Sequence, residues 1–203
     1  MSLFSKRKKN KCYRWVSKDR KTKFRIFALS TRNREYGKGV KKMYKDIKNR
    51  FYDQFLAAKN KGKKFSFTSD KLAHYKKGFN KYFRNVATLA HGVPIACNKY
   101  KLKHNNNCIE RDHQYSRKLE KNARGHKSFE GATELFNLGD VYYNFIDKQR
   151  LMKKCEKTKR GVPKEKKWRT PAQRARIKIN LGKRFQLLNL MKIASADIGL
   201  PYD

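Results

Sequence analysis

The spacing of apolar positions in the first third of the chain predicts a β-hairpin followed by a long helix. Aromatic and β-branched residues cluster at Tyr13–Val16 and Phe24–Leu29, and the polar, turn-like residues between them predict that the two runs pair as strands. From residue 36 to residue 58 the apolar side chains recur at helical spacing, which predicts an amphipathic helix.

A second strand and helix follow this first group. Phe65–Thr68 alternates like a strand that stops at Ser69-Asp70, and apolar positions over 72–82 predict a helix. Val86–Ala90 predicts a further short strand. Because strands and helices alternate along this part of the chain, the predicted fold class is an α/β layered domain.

The second half of the chain is predicted to be mainly helical. Residues 91–106 contain glycine, proline and consecutive asparagines, which predict a loop that ends where a helix begins near Asn107. A stripe of apolar residues from Phe129 to Ile146 predicts another helix, with Ser128 as its N-cap.

The C-terminal quarter of the chain consists of a strongly basic segment followed by a predicted helix. Residues 148–169 are strongly basic and predict a linker or mobile arm. Residues 177–196 predict a C-terminal helix, which Gly182 weakens.

The charge balance points to a polyanionic partner. The chain has 54 Lys and Arg against 16 Asp and Glu, which gives a net charge of +38 at pH 7. Such a surface repels itself unless a polyanion neutralises it, and nucleic acid is the commonest such partner. The densest basic blocks, Met1–Arg14 and Lys148–Arg169, are candidate arms that bind the nucleic-acid backbone.

The remaining composition excludes several classes of protein. Aromatic residues make up 13% of the chain, which argues against full disorder. We expect no membrane-spanning segment and no secretory signal, because no apolar run has the required length or position. The cysteines at 12, 97, 108 and 155 are too sparse for a disulfide framework, so we expect a cytoplasmic, reducing location.

Two carboxylates stand where metal-dependent chemistry is common. Asp70 follows a predicted strand, and α/β proteins place their functional groups at that end of a strand. Glu110 begins a predicted helix, and Arg117 falls on the same helix face because seven residues complete about two turns. Carboxylates from separate elements can hold Mg²⁺ for phosphoryl transfer, while a nearby cation binds phosphate.

Both carboxylates also have simpler interpretations. Asp70 is a suitable N-cap for the helix that begins near Leu72. Glu110 lies three residues after Asn107, which is the spacing of a capping box.

A series of segments adds information beyond spacing. In chain order they are Trp15–Phe24, Phe67–Tyr75, Asn105–Arg111, Arg124–Glu130, Val141–Phe145 and Trp168–Gln173. They resemble, in the same order, motifs of the DDE transposases of insertion sequences, in the IS6-like and related groups. The first resembles an early hairpin of that family, the second the stretch around its second catalytic aspartate, and the third its Asn-rich loop and helix start.

The resemblance implies a fold, a reaction and a set of site residues. It implies an RNase H-like (retroviral integrase-like) core that presents two aspartates and a glutamate to two Mg²⁺ or Mn²⁺ ions. Asp70 matches the second aspartate and Glu110 the glutamate, which makes both of them catalytic and metal-binding residues by resemblance. Arg117 matches a basic residue that contacts the transposon end. The other residues implied in DNA binding are Arg111, Lys118, Arg124 and Lys127.

The implied activity is cleavage of a DNA strand by water, followed by attack of the new 3′-hydroxyl on target DNA. The implied partners are transposon ends and target DNA. By resemblance, the protein is prokaryotic and nucleoid-associated, and it is a homodimer in the intact family.

The sequence departs from the family before the hairpin. The first aspartate belongs on a central strand there, whereas residues 1–12 contain no acidic residue and Asp19 falls in the hairpin turn. The helix-turn-helix that precedes the family's core is absent as well. We therefore predict an RNase H-like core that lacks its first strand and is followed by helices, in a truncated and inactive copy. The predicted domains are a basic tail (1–12), a truncated catalytic core (13–147), a basic linker (148–170) and a helical tail (171–203).

Two rival hypotheses come from other classes of protein. The first is a zinc-binding module, since one segment contains Cys97, His104, Cys108 and His113. Their spacing, however, lacks the short Cys-x₂-Cys unit of structural zinc sites. A non-enzymatic, basic nucleic-acid-binding protein would need only the charge and the aromatic residues, which can stack on bases.

Overall fold

A mixed α/β arrangement of short strands and six helices makes up the described part of the chain, which confirms the predicted class. The computed structural model describes residues 2–3, 12–93, 107–123, 125, 127–150, 168–182 and 184–198. The strands are β1 (Ser2–Leu3), β2 (Cys12–Lys18), β3 (Arg25–Thr31), β4 (Phe65–Thr68), β5 (Ala87–Ala90), β6 (Gln149–Arg150) and β7 (Trp168–Arg169). The helices are α1 (Val40–Asn60), α2 (Ala73–Tyr82), α3 (Asn107–Asn122), α4 (Phe129–Phe145), α5 (Pro171–Arg174) and α6 (Gln186–Ile198).

The predicted hairpin is confirmed as the antiparallel pair β2–β3, with an irregularity at Ser17/Lys18. A third strand, β1, pairs with the start of β2, with Ser2 opposite Tyr13 and Leu3 opposite Cys12. The predicted basic tail (1–12) therefore contains strand residues near each of its ends, namely Ser2 and Leu3 in β1 and Cys12 in β2. No apolar alternation marks β1, because a strand at a sheet edge can pair through its backbone groups alone.

The predicted strand at Phe65–Thr68 is confirmed as β4, which pairs in parallel with β5 in a separate two-stranded sheet. The main hydrophobic core lies beside these strands. It consists of Trp15, Val40, Met43, Tyr44, Ile47, Phe55, Phe79, Phe83, Val86 and Ala87. The apolar stripe that predicted α1 is thus the face that this helix buries.

A second, smaller core joins α4 to β2. Cys12, Ala132 and Phe136 are buried together there, and Phe129 packs against them. The N-cap predicted for α4 is confirmed, since the hydroxyl of Ser128 accepts a hydrogen bond from the N–H of Gly131 at 3.0 Å.

The C-terminal residues differ from the prediction in two ways. The two ends of the predicted basic linker pair as β6 and β7, while residues 151–167 lie outside the described residues. The helix predicted over 177–196 is wrong in its first half, because α6 begins at Gln186. Gly182 and Phe185 have φ angles of 66° and 53°, in the left-handed region that stops a right-handed helix.

The chain divides into two compact units. The first comprises Met1–Arg20 and Arg25–Asn137, and the second comprises Lys21–Phe24 and Leu138–Asp203. Within the second unit, Phe24 packs edge-on against Phe145, and a capping box between Thr170 and Gln173 begins α5. The boundaries of the four predicted domains remain predictions. Among the helices that the structure describes, none has both the length and the apolar composition needed to cross a membrane.

Candidate active site

Asp70 lies directly after β4, at the carboxyl end of a parallel strand. Its backbone is held in place, because its carbonyl accepts from the N–H of Gly92 at 3.3 Å and the preceding Ser69 donates to the carbonyl of Ala90 at 3.0 Å. Its Oδ1 accepts from the N–H of Leu72 at 2.9 Å. Leu72 is the N-cap of α2, so the simpler interpretation of Asp70 as that N-cap is wrong, and Asp70 instead forms a turn just before it.

The surroundings of Asp70 include polar groups that the sequence analysis missed. The hydroxyl of Ser69 donates to the carbonyl of Asp70 at 3.2 Å and lies 3.0 Å from Nδ1 of His91. Burial raises the pKa of the Tyr75 phenol well above its usual value, and the charge of Asp70 adds to the rise while Arg34 opposes it. Tyr75 therefore stays neutral at physiological pH, beside a carboxylate that is exposed to solvent.

Glu110 is half-buried in the first turn of α3. His113 lies one turn further along α3. Burial lowers the pKa of its imidazole, and the charge of Arg117 adds to this lowering. The charges of Glu110 and Asp112 oppose it. Electrostatic contact of His113 with both Glu110 and Arg117 is consistent with their predicted position on one helix face. The side chain of Asn107 lies outside the described residues, so the predicted capping box remains a prediction.

The orientation of α3 is fixed by a buried ion cluster. Oδ1 of Asp112 lies 2.7 Å from Nε of Arg25 and 3.0 Å from Nζ of Lys18, and all three side chains are buried. Asp112 follows Glu110 by about 200° around the helix, so the cluster holds one side of α3 against the hairpin while Glu110 faces elsewhere. The sequence did not indicate that Asp112 is buried, because a carboxylate on a helix is usually exposed to solvent.

Asp70 and Glu110 both line one cavity of about 620 Å³ in the first unit. Residues of β2, β4, α1 and α3 surround it. It has an apolar interior, which includes Met43, Ile47 and Phe55. The structure thus brings the two predicted catalytic carboxylates to the same cavity.

The predicted DNA-binding residues lie mainly on exposed surface. Arg111, Arg117 and Lys118 are exposed on α3, and Lys127 is exposed just before α4. Arg124 lies outside the described residues. Their roles in DNA binding remain predictions.

Asp70 and Glu110 offer carboxylate oxygens, which are the ligands that Mg²⁺ and Mn²⁺ prefer. One oxygen of Asp70 is engaged by Leu72, which leaves the other oxygen and Glu110 as ligands. Magnesium commonly binds through one or two carboxylates and keeps several waters. Within the described ranges, no three His, Cys, Asp or Glu side chains are grouped so that they could hold a metal. Cys97 and His104 of the rival zinc set lie outside those ranges.

Comparison of the chain with protein-family models, with curated proteins and with solved structures finds no match. The resemblance to transposases therefore rests on the sequence segments alone.

Proposed function

We propose that the chain is the core of a DDE-type transposase with an RNase H-like fold, which binds DNA through its basic surface. The observation that supports this proposal best is the shared cavity of Asp70 and Glu110. One carboxylate comes from the carboxyl end of a parallel strand and the other from the first turn of a separate helix. Functional groups of α/β proteins meet in such a crevice, and oxygen ligands of this kind suit Mg²⁺.

The proposed roles follow from the chemistry of each group. Asp70 and Glu110 would hold Mg²⁺ or Mn²⁺, which, when bound, supplies an activated oxygen nucleophile and stabilises the leaving oxygen. Asp112 is a positioning residue, since its ion pairs with Lys18 and Arg25 orient the helix that carries Glu110. Arg117 and its basic neighbours on α3 would bind the phosphates of transposon ends or target DNA.

These 203 residues are proposed to bind DNA without transferring strands. No residue among them matches the family's first aspartate, so a paired-metal site would lack one of its three protein ligands. Dimerisation and association with the nucleoid are part of the same proposal.

Manganese binding provides the direct test of the carboxylate assignment. We expect Asp70→Asn and Glu110→Gln each to weaken Mn²⁺ binding at least tenfold, as measured by electron paramagnetic resonance of free Mn²⁺. The matched control is Asp53→Asn, which removes an exposed carboxylate on α1 and should leave Mn²⁺ affinity unchanged. If all the variants bind Mn²⁺ as the wild type does, the catalytic assignment is wrong.

The net charge of +38 favours a second candidate, a non-enzymatic nucleic-acid-binding protein. It predicts the same salt-sensitive DNA binding, with no role for Asp70 or Glu110 in holding a cation. The Mn²⁺ measurement therefore separates the two candidates, whereas DNA affinity alone does not.

A further inference from the structure

We propose that an apolar groove in the second unit binds an amphipathic helix of another protein, with acidic residues beside the apolar face of that helix. The groove lies between the end of α4 and the start of α6. This inference concerns a protein partner of the second unit, and it does not depend on the reaction or on the carboxylates proposed above.

The walls of the groove consist almost entirely of apolar side chains. They are Tyr142 and Ile146 on one side and Phe185, Leu187, Leu188 and Met191 on the other. The groove has a volume of about 510 Å³, and Gln186 is its remaining lining residue. The side-chain amide of Gln186 donates to the carbonyl of Gly182 at 3.0 Å, within the chain itself. None of these described lining residues carries a charge, although charged residues make up 34% of the chain.

The apolar surface extends beyond the groove along both helices. On α4, Leu138 is exposed together with Val141 and Tyr142, which lie three and four residues further on and so share its helix face. On α6, Leu188 and Met191 are exposed and lie three residues apart. Large exposed apolar patches on soluble proteins mark sites of interaction with other proteins or with membranes.

Phe185 combines a costly backbone conformation with an exposed ring. Its side chain is 75% exposed, and its φ angle of 53° lies in the left-handed region that bulky residues rarely adopt. The backbone around it is held by Asn189, whose side-chain amide donates to the carbonyls of Leu181 and Arg184 at 2.9 and 3.3 Å. Glycine would adopt this φ angle without strain. Both the strain and the exposure disfavour phenylalanine in the isolated chain, which points to a partner that buries the ring.

The charges beside the groove indicate the chemistry of the partner. Arg184 and Lys192 directly adjoin lining residues in the chain, and both are exposed. Lys148 is exposed near the α4 side, where the acidic Asp147 is half-buried. Carboxylates that flank an apolar face would complement these cations.

An amphipathic helix fits these features better than other partners. A groove between two helices accepts the apolar face of a third helix, whose anchoring side chains recur at i, i+3, i+4 and i+7. A second copy of the chain would bring like charges together at this groove, in addition to the repulsion between two chains of net charge +38. Nucleic acid would match the cations but not the apolar walls, and an anionic bilayer has no side chains to enter a groove.

A pair of synthetic peptides provides the test. The probe is a fluorescein-labelled helical peptide of about 18 residues, composed of leucine, alanine and glutamate, with the leucines on one face. Its control has the same composition, with the leucines distributed around the helix. Fluorescence anisotropy is measured in about 0.5 M NaCl, which screens the general attraction of acidic peptides to a basic chain. We expect the full chain to bind the probe at least tenfold more tightly than the control peptide.

Phe185→Gly separates binding from folding. Glycine relieves the backbone strain, so the variant should unfold at the temperature of the wild type or above it, while its affinity for the probe should fall at least tenfold. Leu188→Ser, at an exposed position of the groove, should also weaken binding. The matched control is Arg176→Gly, because Arg176 is exposed, has a φ angle of 63° and does not line the groove. This variant should bind the probe as the wild type does.

Several outcomes would each overturn the proposal. Equal binding of both peptides would show that only charge is recognised, and absence of binding would show that the groove does not accept a helix. Unchanged affinity in Phe185→Gly and Leu188→Ser, or an equal loss in Arg176→Gly, would place the peptide elsewhere. Self-association that Phe185→Gly abolishes in sedimentation velocity would identify a second copy as the occupant, and loss of binding to phosphatidylserine vesicles in that variant would identify a bilayer. None of these measurements involves Mn²⁺ or DNA, so this proposal can fail while the proposed function stands.

Discussion

Nε of Arg25 lies 2.7 Å from Oδ1 of Asp112, in a buried ion pair that joins β3 to α3 across 87 positions of sequence. The same oxygen accepts from Lys18 of β2. The exposed fractions of the Lys18, Arg25 and Asp112 side chains are 4%, 1% and 0%. A single carboxylate thus ties both strands of the hairpin to the helix that carries Glu110.

We expect Asp112→Ala to destabilise the protein by about 3–5 kcal/mol, because it leaves two buried cations without their shared partner. Urea unfolding monitored by circular dichroism measures the change. The control is Asp46→Ala, which breaks the exposed ion pair with Arg50 on α1 and should cost at most about 1 kcal/mol. Similar losses in the two variants would show that the buried cluster adds little to stability.

The same cluster predicts sensitivity to acid. Burial alone would raise the pKa of Asp112, but the charges and hydrogen bonds of Arg25 and Lys18 outweigh burial and lower it below its ordinary value of 3.8. A carboxyl whose pKa is lowered on folding stabilises the folded state fully above the unfolded pKa, and this contribution disappears as the pH falls through the folded pKa. The free energy of unfolding should therefore fall more steeply below about pH 4 in the wild type than in Asp112→Asn. Parallel urea titrations between pH 3 and pH 6 measure both slopes, and equal slopes would contradict the assignment.

Most elements of the first unit could be predicted from sequence, because the spacing of apolar residues and the capping side chains that mark them depend on residues close together in the chain. The spacing of Val40, Met43 and Ile47 reports the buried face of α1 whatever that face packs against. The alternation at Phe65–Thr68 and the hydroxyl of Ser128 likewise act within a few residues. The start of α6 was mispredicted because apolar spacing continues through residues 177–185, whereas backbone angles at Gly182 and Phe185 interrupt the helix.

In the candidate site, too, some residues could be predicted from local sequence patterns and others could not. Asp70 and Glu110 could be proposed from sequence as candidates because each lies at a recognisable end of an element. The ion cluster of Asp112 could not, because its partners at Lys18 and Arg25 are set by how the hairpin meets α3, and no sequence pattern records that packing. The pairing of β1 was missed for a related reason, since backbone hydrogen bonds leave no trace in side-chain chemistry.

Because α1 and α2 approach each other closely at Gly78, we expect a larger side chain at this position to destabilise the protein. A Cβ atom added there would lie 2.5 Å from Cδ2 of Tyr44, in the core between α1 and α2. We expect Gly78→Ala to destabilise the protein by about 1–3 kcal/mol through overpacking, even though alanine favours helix. At Gly37 nothing lies within 4 Å of the added atom, so Gly37→Ala should be neutral or slightly stabilising. Thermal unfolding of both variants compares them, and a neutral Gly78→Ala would mean that α1 and α2 pack less closely.

The described cysteines should differ in reactivity. Cys12 is buried beside Phe136, and burial raises the pKa of its thiol above the ordinary value of 9.0, although Ser30 and Arg14 oppose the shift. Cys108 is partly exposed. Because the thiolate is the reactive form, iodoacetamide at pH 8 should modify Cys108 at least tenfold faster than Cys12. Peptide mapping by mass spectrometry measures both rates, and 6 M urea should abolish the difference. Rapid alkylation of Cys12 in the folded protein would contradict its burial.

The exposed cations of α3 should determine the salt dependence of DNA binding. Each phosphate contact that is lost reduces the slope of log K against log salt by about 0.9 for double-stranded DNA. We expect Arg117→Ala and Lys118→Ala each to lower the slope by about this amount and to weaken binding to unrelated duplexes equally, because phosphate contacts carry no sequence information. Lys45→Ala removes an exposed cation from α1 and serves as the control, with an unchanged slope. Fluorescence anisotropy at a series of NaCl concentrations gives all four slopes. If all three variants shift the slope alike, DNA binds the basic surface diffusely and α3 is not its principal contact.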